Sequence, residues 1–188
     1  MEEHNGLLHD KYLIYYYNAL ALYYNTSDRG RQIEVLKEAI ASPAIRKYAE
    51  NSLAPLIANL ALAYYFHGNL KLASKTMVRL KLDDSFQNVD QGLKLKIALA
   101  EMMIRFDLDD YDFIEYQADR VLKDFTELLE RAEYHRQLEM LRVLSAMIFT
   151  PAIRSDQTLM DQIAKIINAS PTEQGEAAQD VLPYKDWL

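Results

Sequence analysis

The chain has 188 residues, of which half are hydrophobic and about a quarter are charged, with five glycines and five prolines. This balance excludes disordered, collagen-like and low-complexity proteins. A net charge of −7 argues against a nonspecific nucleic-acid binder and against docking on anionic lipid, because both need a basic surface. The absence of cysteine excludes disulfides, thiolate catalysis and zinc–thiolate sites.

No run of 18 apolar residues could span a bilayer, and the opening MEEHNGLLHD lacks the basic start of an export signal. We therefore expect a cytoplasmic protein without a membrane partner or a nucleic-acid partner.

Apolar residues three and four positions apart predict helices along the chain, and no stretch alternates long enough to predict a strand. The first helix places Leu8, Tyr12, Tyr15, Tyr16, Ala19 and Tyr23 on one face. The predicted helices cover about 8–24, 33–40, 44–50, 52–66, 70–82, 88–106, 111–131, 132–149 and 155–168.

Short turns between these helices indicate an all-α fold, a right-handed array of about four antiparallel hairpins. Gly68 suits the left-handed position that ends the 52–66 helix. We expect a helical-hairpin repeat domain over 1–168, followed by a polar linker and an apolar tail over 169–188.

An internal repeat is the strongest signal in the sequence. Residues 18–24 and 59–65 both read as Asn, four Ala or Leu residues and Tyr-Tyr, with an offset of 41, and 97–103 is a degenerate third copy. Small residues, among them Ala19 and Ala61, would let neighbouring helices approach closely. A period near 40 that contains two helices is typical of a solenoid.

A set of apolar and small residues follows a two-helix motif over 57–77, namely Ile57, Leu60, Ala61, Tyr64, Gly68, Leu70, Ala73 and Met77. On these residues the segment 53–82 resembles the tetratricopeptide-repeat family, and the likeness extends more loosely over 8–168. The repeat spacing is nearer 41 than the family's 34, and Ser85 stands where proline usually closes a repeat. The resemblance implies an α-solenoid whose concave surface binds peptides or proteins.

Catalytic signatures are absent: the sequence has no Gly-rich phosphate loop, no Gly-x-Ser-x-Gly and no His-Glu-x-x-His. An EF-hand counted from Asp107 would need Gly at its sixth position and Glu at its twelfth, where Asp112 and Ala118 stand. The cluster of carboxylates at 107–112 is therefore interpreted as the cap and first turn of the next helix. We predict no metal site, no cofactor and no catalytic residue.

Tyrosines that are consecutive on a helix cannot all face a core, because neighbouring residues point about 100° apart. Either the tyrosines pack between helices, or they form an aromatic surface on which asparagine side chains hydrogen-bond to the backbone of a bound peptide. Lys94 lies near the position where a basic side chain would help to bind such a peptide, and Trp187 belongs to the tail. The predicted partner-binding residues are Tyr16, Asn18, Tyr23, Asn59, Tyr64, Lys94 and Trp187.

The last eight residues are rich in apolar side chains, Val181, Leu182, Tyr184 and Trp187 among them, and follow a polar stretch. Such a cluster docks on its own fold, as a cap on the last hairpin, or inserts into the groove of a partner.

Charge is divided unevenly, with a net +3 over 1–82 and −10 over 83–188. Lys71, Lys75 and Arg79 form a basic stripe, which is either a solvated face or one side of a head-to-tail contact between copies. A homo-oligomer is therefore possible.

The sequence favours a non-enzymatic protein-interaction or scaffold module that binds a peptide, a partner helix or a neighbouring subunit on a surface lined by Tyr and Asn. The alternative is a small-molecule-binding or enzymatic all-α domain with Asp107 and Glu101 beside Tyr64 in a pocket. The chain could also be the C-terminal part of a longer repeat protein.

Overall fold

The computed structural model describes residues 2–48, 53–150, 155–168 and 184–188. All regular structure in these residues is helical, without a strand, which confirms the all-α prediction. Short 3-10 turns at Asp84–Asn88 and Ala132–Tyr134 join longer helices. The α-helices are α1 Glu2–Ser27, α2 Arg29–Ala41, α3 Pro43–Tyr48, α4 Leu53–Phe66, α5 Leu70–Leu82, α6 Gln91–Phe106, α7 Tyr111–Asp124, α8 Thr126–Leu129, α9 His135–Met147, α10 Gln157–Asn168 and α11 Tyr184–Trp187.

Most predicted helices are present, and the two largest differences in extent concern the first helix and the helix predicted over 111–131. The first helix starts at Glu2 rather than near residue 8. The helix predicted over 111–131 is interrupted at Phe125, whose backbone (φ −119°, ψ 20°) leaves the helical region and separates α7 from α8. Apolar spacing continues across this break, so the pattern alone could not reveal it.

The chain divides into two compact units, Met1–Val89 and Asp90–Leu188. In the first unit, α2 packs against α1, α3 and α4, and α4 packs against α5. Helix α3 also packs against α1. The core of this unit is aliphatic and includes Val35, Leu36, Ala39, Ile45, Leu56, Ile57, Ala61, Ala73, Met77 and Leu80.

In the second unit, α6 packs against α7 and α9, and α10 packs against α9 and α11. Its core includes Leu95, Leu99, Met102, Met103, Ile104, Ile114, Val121, Met140, Leu144 and Leu159. Glu101, Arg136 and Gln137 are buried polar residues of α6 and α9. The predicted division into a domain over 1–168 and a tail over 169–188 stays a prediction, and residues 169–183 lie outside the described residues.

The 41-residue period continues in the positions where helices begin. Asp28, Asn69 and Asp110 are the N-cap residues of α2, α5 and α7, and each follows the previous one by 41 positions. The Asp28 carboxylate accepts from the Arg31 N–H at 2.9 Å. Consecutive helices pack as α1 on α2, α4 on α5, α6 on α7 and α9 on α10, whereas the right-handed solenoid arrangement stays a prediction.

Gly68 ends α4 in the left-handed region, with φ of 81°, as the sequence predicts. The Asn69 N–H donates to the Tyr64 carbonyl at 2.8 Å, and the Gly68 N–H donates to the Tyr65 carbonyl at 2.9 Å. This pair of bonds is a Schellman motif, which satisfies carbonyls that the helix end would otherwise leave open.

The turn between α6 and α7 repeats this geometry 41 residues later. Asp109 occupies the left-handed position with φ of 58°. The Asp110 N–H donates to the Arg105 carbonyl at 3.0 Å, and the Asp109 N–H donates to the Phe106 carbonyl at 2.9 Å. The repeat therefore preserves the backbone of the turn although the residue at its centre has changed from glycine to aspartate.

Candidate functional site

Helix α1 carries a continuous exposed apolar surface, here named the α1 tyrosine face. Exposed fractions run from 60% for Tyr16 to 73% for Leu22 among its large side chains. Ala19 is exposed within this face, so the prediction that it lies at a close approach between helices is wrong. The face consists of Tyr12, Tyr15, Tyr16, Ala19, Leu22 and Tyr23.

The opposite side of α1 is the one that packs. Ile14 and Ala21 are each only 7% exposed, and Leu20 beside them is half-buried. Both sides of the helix are apolar, so apolar spacing cannot decide which side is covered. The structure buries the side that contains Ile14 and Ala21, in a helix that packs against α2 and α3.

The α1 tyrosine face is electrically neutral. Residues 12–27 contain no Asp, Glu, Lys or Arg. Neighbouring rings contact each other, with centroids 6.2 Å apart for Tyr12 and Tyr15 and 5.6 Å apart for Tyr16 and Tyr17. With about 200 Å² for each aromatic side chain, the exposed fractions leave roughly 600 Å² of this face uncovered, at the upper end of the largest patch on a typical monomer.

Three predicted partner-binding residues lie together on α1. Tyr16 and Tyr23 belong to the face, and Asn18 is exposed along its edge. The prediction did not include Tyr12, Tyr15 or Leu22. Their shared spacing and the charge-free stretch around them are the signals that could have found them.

The other predicted residues are distributed over other helices. Asn59 is exposed and Tyr64 is half-buried on α4, where five residues of separation turn them about 140° apart around the helix. They therefore do not share one surface. Lys94 is half-buried on α6, and Trp187 is on α11; both belong to the second unit.

Trp187 packs on its own chain, at the turn between α6 and α7. Its indole Nε1 donates to the Asp107 carboxylate at 3.1 Å, and its ring meets Phe106 edge to face with centroids 5.4 Å apart. Buried Tyr184 lies beneath the Arg136 guanidinium, which is 4.9 Å from the ring centroid. The described part of the tail thus docks on the second unit, whereas Val181 and Leu182 lie outside the described residues.

The carboxylates at this turn bind neighbouring side chains. The Tyr111 hydroxyl donates to Asp109 at 2.9 Å, which raises the pKa of that phenol. The Arg105 guanidinium pairs with Asp110 at 2.7 Å. Asp110 is the N-cap residue of α7 and Asp112 lies in its first turn, which confirms that prediction, although the Asp110 carboxylate makes no capping bond of its own. Among the residues that the structure describes, no three His, Asp or Glu side chains are grouped to hold a metal ion.

The residues of the enzymatic alternative differ in their surroundings. Glu101 is 1% exposed inside the second unit, while Asp107 is exposed and accepts from Trp187. An open cleft of about 370 Å³ lies near Phe125, between residues such as Lys123, Glu127 and Arg131. Its lining includes neither of the two carboxylates.

Fold and site together define an all-α protein with an exposed, uncharged tyrosine surface on its first helix. Comparison with protein-family models, with curated proteins and with solved structures found no match. Within the described residues, no helix is both long enough and apolar enough to cross a membrane.

Proposed function

We propose that this chain is a non-enzymatic interaction module whose α1 tyrosine face binds an amphipathic, uncharged helix of a partner protein. The exposed apolar face of a 26-residue helix is the observation that carries the proposal. Large apolar patches on a protein surface mark interaction sites, since water contact with them is unfavourable.

Tyrosine suits such a surface because its ring gives a large contact area and its hydroxyl can still reach water or a backbone group. The four exposed tyrosines lie within three helical turns, from Tyr12 to Tyr23, over about 17 Å. A partner helix whose apolar residues at i, i+3, i+4 and i+7 continue to i+11 presents a stripe of the same length, about 17 Å. Asn18 at the edge supplies an amide for a polar group of the partner.

The absence of charge favours an uncharged partner surface. A charged residue of the partner would lose water at the interface without an opposite charge in 12–27 to compensate it. Neutral apolar residues carry no such cost, so the partner helix presents mostly Leu, Ile, Met, Ala or aromatic side chains.

Site-specific photocrosslinking tests this proposal. The photoreactive residue p-benzoylphenylalanine replaces Tyr15 in one variant and Tyr23 in a second. It replaces Tyr116 of α7, which has a similar exposed fraction of 64%, in the matched control. We expect the α1 variants to crosslink the same partner segment, an uncharged amphipathic helix, and the control to miss it. Identical products from all three variants, or products that map to charged or extended segments, would contradict the proposal.

A synthetic peptide that corresponds to the crosslinked segment then permits a direct binding measurement. Exposed aromatic anchors dominate such interfaces, so Tyr16→Ser with Tyr23→Ser lowers the affinity at least about tenfold. Tyr116→Ser serves as the control and leaves the affinity unchanged. Because Tyr16 and Tyr23 are exposed, circular dichroism should show the same melting temperature for both variants.

A further inference from the structure

Helix α5 has an exposed basic side, here named the α5 basic face and defined by Lys71, Lys75 and Arg79. All three are exposed, and none forms an ion pair within the described part of the chain. Helix α5 contains no acidic residue. Val78 (38% exposed) and Leu82 (80% exposed) lie among the cations, so this face joins positive charge with apolar area.

Helix α7 has an exposed side of opposite charge, here named the α7 acidic face and defined by Asp112, Glu115 and Asp119. These three carboxylates are exposed and likewise form no ion pair with any described residue. Tyr116 (64% exposed) and Leu122 (44% exposed) provide neighbouring apolar area.

The two faces match in length. A rise of 1.5 Å per residue places Lys71 and Arg79 about 12 Å apart along α5. The same rise places Asp112 and Asp119 about 10.5 Å apart along α7. In an antiparallel pair of helices, Lys71 meets Asp119, Lys75 meets Glu115 and Arg79 meets Asp112.

We propose that the α5 basic face of one copy of this chain docks on the α7 acidic face of a second copy. Charge complementarity favours a second copy as the partner, because the same chain carries three unpaired cations and three unpaired anions at matching intervals. Arg120 of α7 does not oppose the pairing, since its guanidinium is turned to Asp124 at 3.8 Å. The proposal does not depend on the α1 tyrosine face.

The association should be weak and sensitive to salt. Exposed ion pairs contribute little individually, and added salt screens them over distances of about 10 Å or less. Apolar contacts between Leu82 or Val78 of one copy and Tyr116 or Leu122 of the other add attraction that salt does not remove.

Sedimentation velocity on the full chain, at concentrations up to about 500 µM, tests the proposal. We expect the association constant to fall at least about tenfold between 50 and 500 mM NaCl, because the Debye length shortens to a few ångströms. A wild-type chain that stays monomeric at the highest concentration in low salt would overturn the proposal.

Charge reversal identifies the faces. One variant carries Lys71→Glu, Lys75→Glu and Arg79→Glu on α5; the other carries Asp112→Lys, Glu115→Lys and Asp119→Lys on α7. Each alone should stay monomeric, because its two faces then carry the same sign. An equimolar mixture should associate, since each variant offers the complement of the other. A mixture that remains monomeric while both variants keep the wild-type circular dichroism would refute the pairing.

The matched control places the same charge change elsewhere in the second unit, with Glu127→Lys, Glu130→Lys and Glu133→Lys. These side chains are exposed and lie outside α7, so self-association should persist. If a triple variant misfolds, the central pair is tested in the same way, by mixing the single variant Lys75→Glu with the single variant Glu115→Lys. Each alone should associate less than wild type, and the mixture should restore the association. Self-association that α5 charge reversal leaves unchanged but Tyr16→Ser abolishes would place the contact on the α1 tyrosine face. This result would overturn the proposed α5–α7 contact and leave the proposed function untouched.

Discussion

The α4–α5 turn of the first unit and the α6–α7 turn of the second unit have the same backbone and different surroundings. In the first, Gly68 holds the left-handed position, and the Arg29 guanidinium donates to the Phe66 carbonyl at 2.7 Å. In the second, Asp109 holds that position, and Trp187 from the end of the chain covers Phe106. Both turns close with Schellman bonds, so the repeat fixes the backbone and leaves the side chains free to diverge.

The acidic residues of the second turn bind neighbouring side chains. Asp107 accepts from Trp187, Asp109 accepts from Tyr111, and Asp110 pairs with Arg105. Carboxylates that suggest a metal loop in the sequence instead hold aromatic and basic side chains in place. We therefore expect the second turn to depend most on its contact with Trp187, and the first turn to depend on the left-handed backbone of Gly68.

Trp187→Ala should have the largest effect on stability. The substitution removes the ring contact with Phe106 and the hydrogen bond to Asp107, and we expect it to lower the free energy of unfolding of the second unit by about 2 kcal/mol. Urea denaturation followed by far-ultraviolet circular dichroism measures the change.

Two controls make this result specific. Trp187→Phe keeps an aromatic ring but loses the hydrogen bond, so its cost should be about 1 kcal/mol. Tyr116→Ala removes an exposed ring of the same unit and should change stability by less than about 0.5 kcal/mol. Equal losses for Trp187→Ala and Tyr116→Ala would show that the tail does not anchor this turn.

Gly68→Ala should have an intermediate effect on the first unit. A Cβ at this position would meet no atom within 4 Å, so the cost comes from the left-handed backbone alone. We expect a loss of about 1 kcal/mol, and a smaller loss for Gly68→Asn because asparagine tolerates this conformation better. Thermal denaturation of both variants measures the difference, and equal melting temperatures for wild type and Gly68→Ala would contradict the backbone explanation.

Tyr111→Phe should have the smallest effect, with a dependence on pH. The hydrogen bond to Asp109 raises the pKa of the Tyr111 phenol above its ordinary value near 10. Because the protonated phenol is the stabilised form, its contribution is present below pH 10 and is lost as the pH rises through the raised pKa. Wild type should therefore exceed the variant in stability at pH 8 and lose that advantage in strong alkali, as urea titrations at each pH would show.

Local features of the sequence predicted the helices and their ends. Gly68 and Asn69 were recognisable because turn and capping preferences depend on residues within a few positions of each other. The all-α fold followed from the same short-range spacing. The break at Phe125 was missed because an apolar aromatic residue at a helix interruption leaves no local sequence signal.

The sequence by itself determined that the chain is helical, that a seven-residue helix motif recurs after 41 residues and that residues 12–27 carry no charge. Only the tertiary structure decided which side of α1 is covered and where Trp187 docks. Both outcomes depend on contacts between residues distant in the chain, such as Trp187 with Asp107. Hydrophobic spacing marks the surfaces that can be buried, but the shapes of the neighbouring helices select the ones that are.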